Sequence, residues 1–167
     1  KLDHLTVSMK HPDATAAIIS GSGEINCDFT APPFSEQELE HKGVHTVLSS
    51  YDVLGGKSTF NVLGTSQKFY NEHPKLYKAV FEALQAADSF INQHPEQAAD
   101  IYIAEEHSKL PKSLIEQIIK DPQNEFTTTP KNILKYAPFM YKTGSIKHLP
   151  TSWKDVFFKS VWSENGS

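Results

Sequence analysis

Hydroxyl and aromatic side chains follow two predicted strands of the sequence and are the first candidates for binding chemistry. Phe29, Thr30 and Pro32 lie at the end of one strand, and Ser49 and Ser50 end the next. In open α/β sheets, ligands lie beyond the carboxyl ends of the strands, where loop amides and helix N-termini converge. These residue types therefore predict a site for a small polar ligand, in which hydroxyl and backbone groups supply hydrogen bonds.

A second group of candidates surrounds a glycine-bearing bend at residues 52–57. The candidates here are Gly55, Gly56, Thr59, Phe60 and Asn61. Hydroxyl, amide and aromatic groups together suit a small anion. A plainer interpretation stays open, because Pro32-Pro33 is also typical of an ordinary turn and Gly55-Gly56 of a hinge or loop.

Metal and nucleophile chemistry are not predicted. Cys27 is the only cysteine, which excludes an intramolecular disulfide, and its place in an apolar predicted strand favours a small core residue. His41 and His45 have the spacing of metal ligands on a helix, but Gly43 lies between them and a β-like run follows. No catalytic residue, metal or cofactor is predicted.

Composition narrows the class of protein further. The 167 residues are 38% hydrophobic and 22% charged, with a formal charge of -4. All 16 basic residues are lysines and they are scattered, so a phosphate-binding nucleic-acid surface is not expected. No apolar run approaches the roughly 20 residues that span a bilayer. The opening Lys1-Leu2-Asp3 suggests a segment of something longer or a mature piece.

The elements that would position the candidates alternate in the first third of the chain and are helical afterwards. Alternating or β-branched runs predict strands at residues 5–9, 24–30, 44–49 and 59–63, with a helix from Pro12 to the Ser20–Gly23 turn. Ser35 and Glu38 have the spacing of a capping box. Prolines open helices predicted at 74–91, 95–106, 111–120 and 130–143. The face formed by Leu76, Val80, Leu84, Ala87 and Ile91 indicates a core helix, and the aromatic segment 153–158 is expected to dock on a core.

Three phrases of the sequence, taken in order, carry a family resemblance. They are "HPDATAAIISGSGEINCDFTAPPF", "LSSYDVLGGKSTFNVLGTSQKFYNEHPKLYKAVFEALQAA" and "HLPTSWKDVFF". The chain resembles the C-terminal part of periplasmic solute-binding proteins of the nitrate, sulfonate and taurine class. The resemblance implies an α/β, type II periplasmic-binding-protein-like fold, partial and two-lobed, with a helix-rich C-terminal half. Residues 1–54 would be the latter part of the second lobe, and residues 55–167 the hinge return and the mostly helical part of the first lobe.

The function implied by the resemblance is capture of a small anion or organic solute between two lobes, without turnover, and delivery to an ABC transporter permease. The protein would then be periplasmic or otherwise extracytoplasmic, and secreted or lipid-anchored. A partial lobe with exposed strand edges could also pair with another chain. Without Arg, this segment cannot supply a bidentate guanidinium clamp for the anion. Asn61 stands at a position of the resembling phrase where an acidic residue could pair with an ammonium group, and Asn offers hydrogen bonds without the charge. The resemblance therefore favours an amino-sulfonate such as taurine less, without excluding it.

An enzyme on the same scaffold is the alternative. It would resemble the thiamine-pyrimidine precursor synthases, whose cysteine-rich iron motif is not matched by the single Cys27 of this chain.

Overall fold

The computed structural model describes residues 3–23 and 25–167, and in that part of the chain every regular element is a helix. The α-helices are α1 His11–Ser20, α2 Phe34–Leu39, α3 Ser50–Leu54, α4 Gln67–Glu72, α5 Pro74–Gln93, α6 Pro95–Glu105, α7 Lys112–Lys120 and α8 Ala137–Lys142. Short 3₁₀ helices cover Asp3–Leu5, Ile133–Lys135, Trp153–Val156 and Lys159–Val161. The chain divides into two compact units, one ending at Leu48 and the other Ser49–Ser167.

The predicted α/β fold class is wrong, because none of the four predicted strands forms among the described residues. Glu24, the first residue of one of them, lies outside those residues. The apolar side chains of the other runs stand largely in solvent: Val47 is 79% exposed and Val62 69% exposed. A β-branched run becomes a strand only when a neighbouring strand accepts and donates its backbone hydrogen bonds. The described chain offers these runs no such neighbour.

The helix predictions are mostly confirmed, because their signals are local. Prolines occupy the first turns of α1, α5 and α6, where the sequence predicts them. Gly21 ends α1 with φ 62°, a left-handed conformation that glycine adopts at no steric cost. The helix predicted at 130–143 is instead interrupted at Tyr136, between the 3₁₀ helix Ile133–Lys135 and α8.

The first unit holds α1 against α2 with a very small core. Of the residues that the structure describes in this unit, Ala14, Thr15 and Glu38 are buried, and two of these three are polar. The predicted capping box does not form, because Glu38 faces Thr15 of α1 and not the start of its own helix. Cys27, expected in a core, is exposed.

The second unit is built from α3 to α8 and the C-terminal 3₁₀ helices. Among the described residues its most extensive helix–helix interface joins α6 to α7, where Ala99, 0% exposed, lies with Leu114 and Ile115 among the buried residues. Trp153 is buried, as predicted for the aromatic segment. Helix α5 forms where predicted but has no buried residue, so its apolar stripe does not line a core in this chain.

No helix in the described part of the chain has the length and apolar character that crossing a membrane requires.

Candidate functional site

Three predicted binding residues lie together in the first unit, in the loop between α1 and α2. The Phe29 ring is 94% exposed, and the peptide bond between Pro32 and Pro33 is cis. Thr30 is half-buried, and its Oγ1 atom is buried without a hydrogen-bond partner among the described groups. The loop therefore presents an aromatic face to solvent, while its unpaired Thr30 hydroxyl is buried.

The other predicted residues lie in the second unit, at the two ends of α3 and just beyond it. Ser49 caps α3: its Oγ accepts a hydrogen bond from the Asp52 amide and donates one to Asp52 Oδ2 at 2.6 Å. Gly55 ends the same helix with φ 73°, and Gly56 follows with φ 134°. Because both φ values are in the region that favours glycine, the glycines are required by this bend. Ser50 is exposed.

The chain that leaves the glycine bend is fastened to residues 123–132 by a set of contacts that we call the clasp. Thr59 and Lys131 exchange two hydrogen bonds: the Thr59 amide donates to the Lys131 carbonyl at 2.9 Å, and the Lys131 amide donates to Thr59 Oγ1 at 2.8 Å. Asn132 Nδ2 donates to the Lys57 carbonyl at 2.6 Å, and Tyr51 Oη donates to the Gln123 carbonyl at 3.0 Å. The bend is thus fixed at both of its ends.

Glu125 is the charged centre of the clasp. Lys57 Nζ lies 3.1 Å from Glu125 Oε2, and Lys131 Nζ lies 2.6 Å from Oε1. The hydrogen bond from Lys131, together with the bond and charge of Lys57, lowers the pKa of Glu125 against the opposing effect of partial burial. The ammonium group of Lys57, which would otherwise be the nearest cation for an anionic ligand at the bend, is therefore already paired.

The C-terminal residue Ser167 forms hydrogen bonds with residues at the end of the clasp. The Ser167 amide donates to the Pro130 carbonyl at 3.0 Å, and the Ser167 carbonyl accepts from the Ile133 amide at 3.0 Å. Pro130 is fully buried, and Gly166 lies so close to Trp153 that an added Cβ would be 2.8 Å from a ring carbon. Beyond the clasp, Phe60 is 80% exposed and Asn61 is also exposed.

A polar cluster joins the two helices of the first unit. Thr15 Oγ1 donates to Glu38 Oε1 at 2.8 Å, and one turn earlier the ring of His11 stacks on Phe34 at 5.3 Å. Glu38 is 5% exposed, and Asp28 lies within hydrogen-bonding reach of it. Burial, and after it the neighbouring Asp28, raise the pKa of Glu38, although the Thr15 hydrogen bond and His11 oppose them.

A hollow of about 420 Å³ lies elsewhere in the second unit, between α4, α5 and Ser160. Its walls include Tyr70 and Tyr77, and Tyr77 Oη is hydrogen-bonded to Ser160 Oγ at 2.9 Å. None of the ten predicted binding residues lines it.

Within the first unit the structure brings together Phe29, Thr30 and Pro32, and within the second Ser49, Ser50 and the bend residues. Sequence reasoning missed the clasp residues Lys57, Glu125, Lys131 and Asn132, because they pair over more than sixty positions, apart from the local pair of Glu125 with Lys131. It also predicted the wrong partner for Glu38, which bonds to Thr15 and not to the start of its own helix. The contacting residues are four positions apart in each helix: His11 and Thr15 in α1, and Phe34 and Glu38 in α2. This matched spacing was the sequence signal for the contact between α1 and α2.

No family model, curated protein or solved structure matches this chain. Among the described residues, no group of three or more His, Cys, Asp or Glu side chains is arranged to hold a metal ion.

Proposed function

We propose that this chain takes part in capturing a small anion or organic solute of the nitrate, sulfonate and taurine class for an ABC importer, which passes it to a membrane permease unchanged. The observation that carries the proposal is the order and spacing of the three phrases from His11 to Phe158. The fold gives it no support, because the expected sheet does not form among the described residues. The proposal therefore rests on the phrases and on the chemistry of the bend.

The bend supports the proposal through its chemistry. The clasp holds Lys57 and Thr59, and the next two residues, Phe60 and Asn61, present an aromatic face and an amide to solvent. A loop that is already ordered loses less conformational entropy when a ligand binds. Since Lys57 is paired with Glu125, neutral donors such as the Asn61 amide are the groups left for an anion.

Titration followed by nuclear magnetic resonance tests the proposal, because this method detects the weak binding that is expected of a single loop. Nitrate, methanesulfonate and taurine would be added separately to the labelled chain. We expect saturable shifts of the amide signals of residues 55–61, and about a five- to tenfold weaker affinity in Asn61→Ala, since one hydrogen bond is worth about 1 kcal/mol. Asn71→Ala, on α4, is the matched control and should bind as the parent does.

The proposal fails if none of the three solutes shifts signals at residues 55–61, or if Asn71→Ala weakens binding as much as Asn61→Ala.

Charge at position 61 gives a sharper test of ligand choice. An aspartate there would repel a simple anion and would attract the ammonium group of an amino-sulfonate. We expect Asn61→Asp to weaken methanesulfonate binding and to shift the preference of the chain toward taurine. The ratio of the two affinities, compared with that of Asn71→Asp, measures the effect. An unchanged ratio would place the ligand away from Asn61.

A further inference from the structure

We propose that Glu38 carries a proton, donates it in a hydrogen bond to Asp28, and so forms a pH-sensitive latch that holds the segment around Asp28 and Thr30 onto the α1–α2 pair. The latch does not depend on the proposed function. It follows from the hydrogen-bond chemistry of the first unit alone.

The hydrogen bonds of the cluster require a proton that side chains in their ordinary ionised forms do not supply. Asp28 Oδ2 is buried and no described group donates a hydrogen bond to it. Its neighbour is Glu38, whose Oε1 atom already accepts from Thr15. Two ionised carboxylates are both acceptors only, and they can bond to each other only when one of them carries a proton. A proton on Glu38 supplies the donor that Asp28 lacks.

The charges that face Glu38 favour the same arrangement. Among the described residues these are Asp28, in the α1–α2 loop, and His11, in the first turn of α1. The negative charge of Asp28 beside the nearly buried Glu38 carboxyl group disfavours ionisation of Glu38, and the Thr15 hydrogen bond and the charge of His11 oppose this effect. The raised pKa of Glu38 agrees with this balance.

The first unit is therefore expected to be more stable in acid than in alkali. When the folded pKa of a group is raised, its contribution to stability is complete below the unfolded pKa and is lost as pH rises through the folded pKa. As Glu38 ionises, two negative charges meet in a cluster with little solvent. We expect residues 28–30 to separate from the helices, which exposes the buried Thr30 hydroxyl to solvent.

Carbon-detected titration of the Glu38 carboxyl group in the labelled full chain tests directly whether Glu38 carries the proton. We expect the Glu38 signal to titrate above the usual glutamate value of about 4.3. Asp28→Asn should move the midpoint down, because it removes the facing charge. Asp13→Asn, which removes an exposed carboxylate on α1, should leave it in place. A Glu38 midpoint at or below the usual value in the parent chain would overturn the proposal.

Exposed Cys27 provides the second measurement, since it is the only cysteine and lies next to Asp28. A fluorine label on this thiol should report a change of environment as the solution goes from mildly acidic to mildly alkaline. Glu38→Gln keeps an acceptor for Thr15 and a permanent donor for Asp28, so we expect its label to lose this pH response. An equal pH response in Glu38→Gln and the parent would refute the latch, and so would the absence of any response in the parent.

Discussion

Glu38 in the first unit and Glu125 in the second are the same residue type in opposite electrostatic settings. Glu38 is almost completely buried beside another carboxyl group, and its pKa is raised. Glu125 is a third exposed and lies between two lysines, and its pKa is lowered. One chain therefore carries a contact that acid strengthens and a clasp that acid weakens.

The two units differ in the same way in what holds them together. Among its described residues the first has three that are buried, two of them polar, so its helices are joined by the Thr15–Glu38 hydrogen bond and the His11–Phe34 stack more than by apolar area. The second has the α6–α7 interface and buried Trp153, and its clasp is an addition to an existing core. We expect pH to alter the structure of the first unit. In the second unit, we expect pH to change only the free energy of unfolding.

The largest effect on the second unit should come from Gly166→Ala. The new Cβ would lie 2.8 Å from Trp153 Cε2 and 3.1 Å from the Pro130 carbonyl oxygen, and neither a buried indole nor a backbone carbonyl moves easily. Overpacking of this kind costs about 1–3 kcal/mol. Urea unfolding followed by tryptophan fluorescence measures it, since both tryptophans lie in Ser49–Ser167.

Gly64→Ala is the matched control for this substitution, because its Cβ would meet no atom within 4 Å. Equal unfolding midpoints for the two variants would show that the C-terminal residues do not support the clasp, and would remove one difference between the two units.

A smaller effect is expected for Thr59→Val. Valine keeps the shape of the side chain but leaves the Lys131 amide without its acceptor, while the Thr59 amide still donates to the Lys131 carbonyl. The loss should be about 1 kcal/mol in the same unfolding experiment. Thr65→Val, at an exposed position, should change stability much less. If the two variants are equally stable, the clasp is held by its ion pairs and not by its backbone bonds.

The sequence predicted those parts of the fold that depend on neighbours in the chain. Prolines at helix starts and Gly21 at a helix end act within one turn, so α1, α5 and α6 lie at or within a few residues of their predicted positions. The strand predictions were wrong because a strand forms only beside a partner strand, and the periodicity of a run does not show whether such a partner exists. The run at 44–49 has the same residue pattern with or without a neighbouring sheet.

For the candidate site, the glycine bend was predicted but the groups that fix it were not. Gly55 and Gly56 mark a turn by their type alone, whereas Lys57 meets Glu125 and Asn132 only because of tertiary packing. Glu38 was assigned to a capping box because Ser35 precedes it by three residues, and the long-range hydrogen bond from Thr15 prevailed over this local pattern. Each of these contacts that the sequence did not predict joins positions that are distant in the chain.

The smallest effect, and the most direct comparison of the two carboxyl groups, should come from Glu125→Gln. Both lysines lose their ion pair, but because the three side chains are 33–40% exposed, solvent screening limits the loss to about 0.5–1 kcal/mol near neutral pH. The folded pKa of Glu125 is lowered, so its contribution is present above the unfolded value of about 4.3 and is lost as pH falls through the folded pKa. The parent and the variant should therefore converge in acid and in high salt, as measured by tryptophan-detected unfolding against an exposed control, Glu105→Gln. A difference that persists in acid would mean that Glu125 acts by packing, and the electrostatic contrast with Glu38 would then be lost.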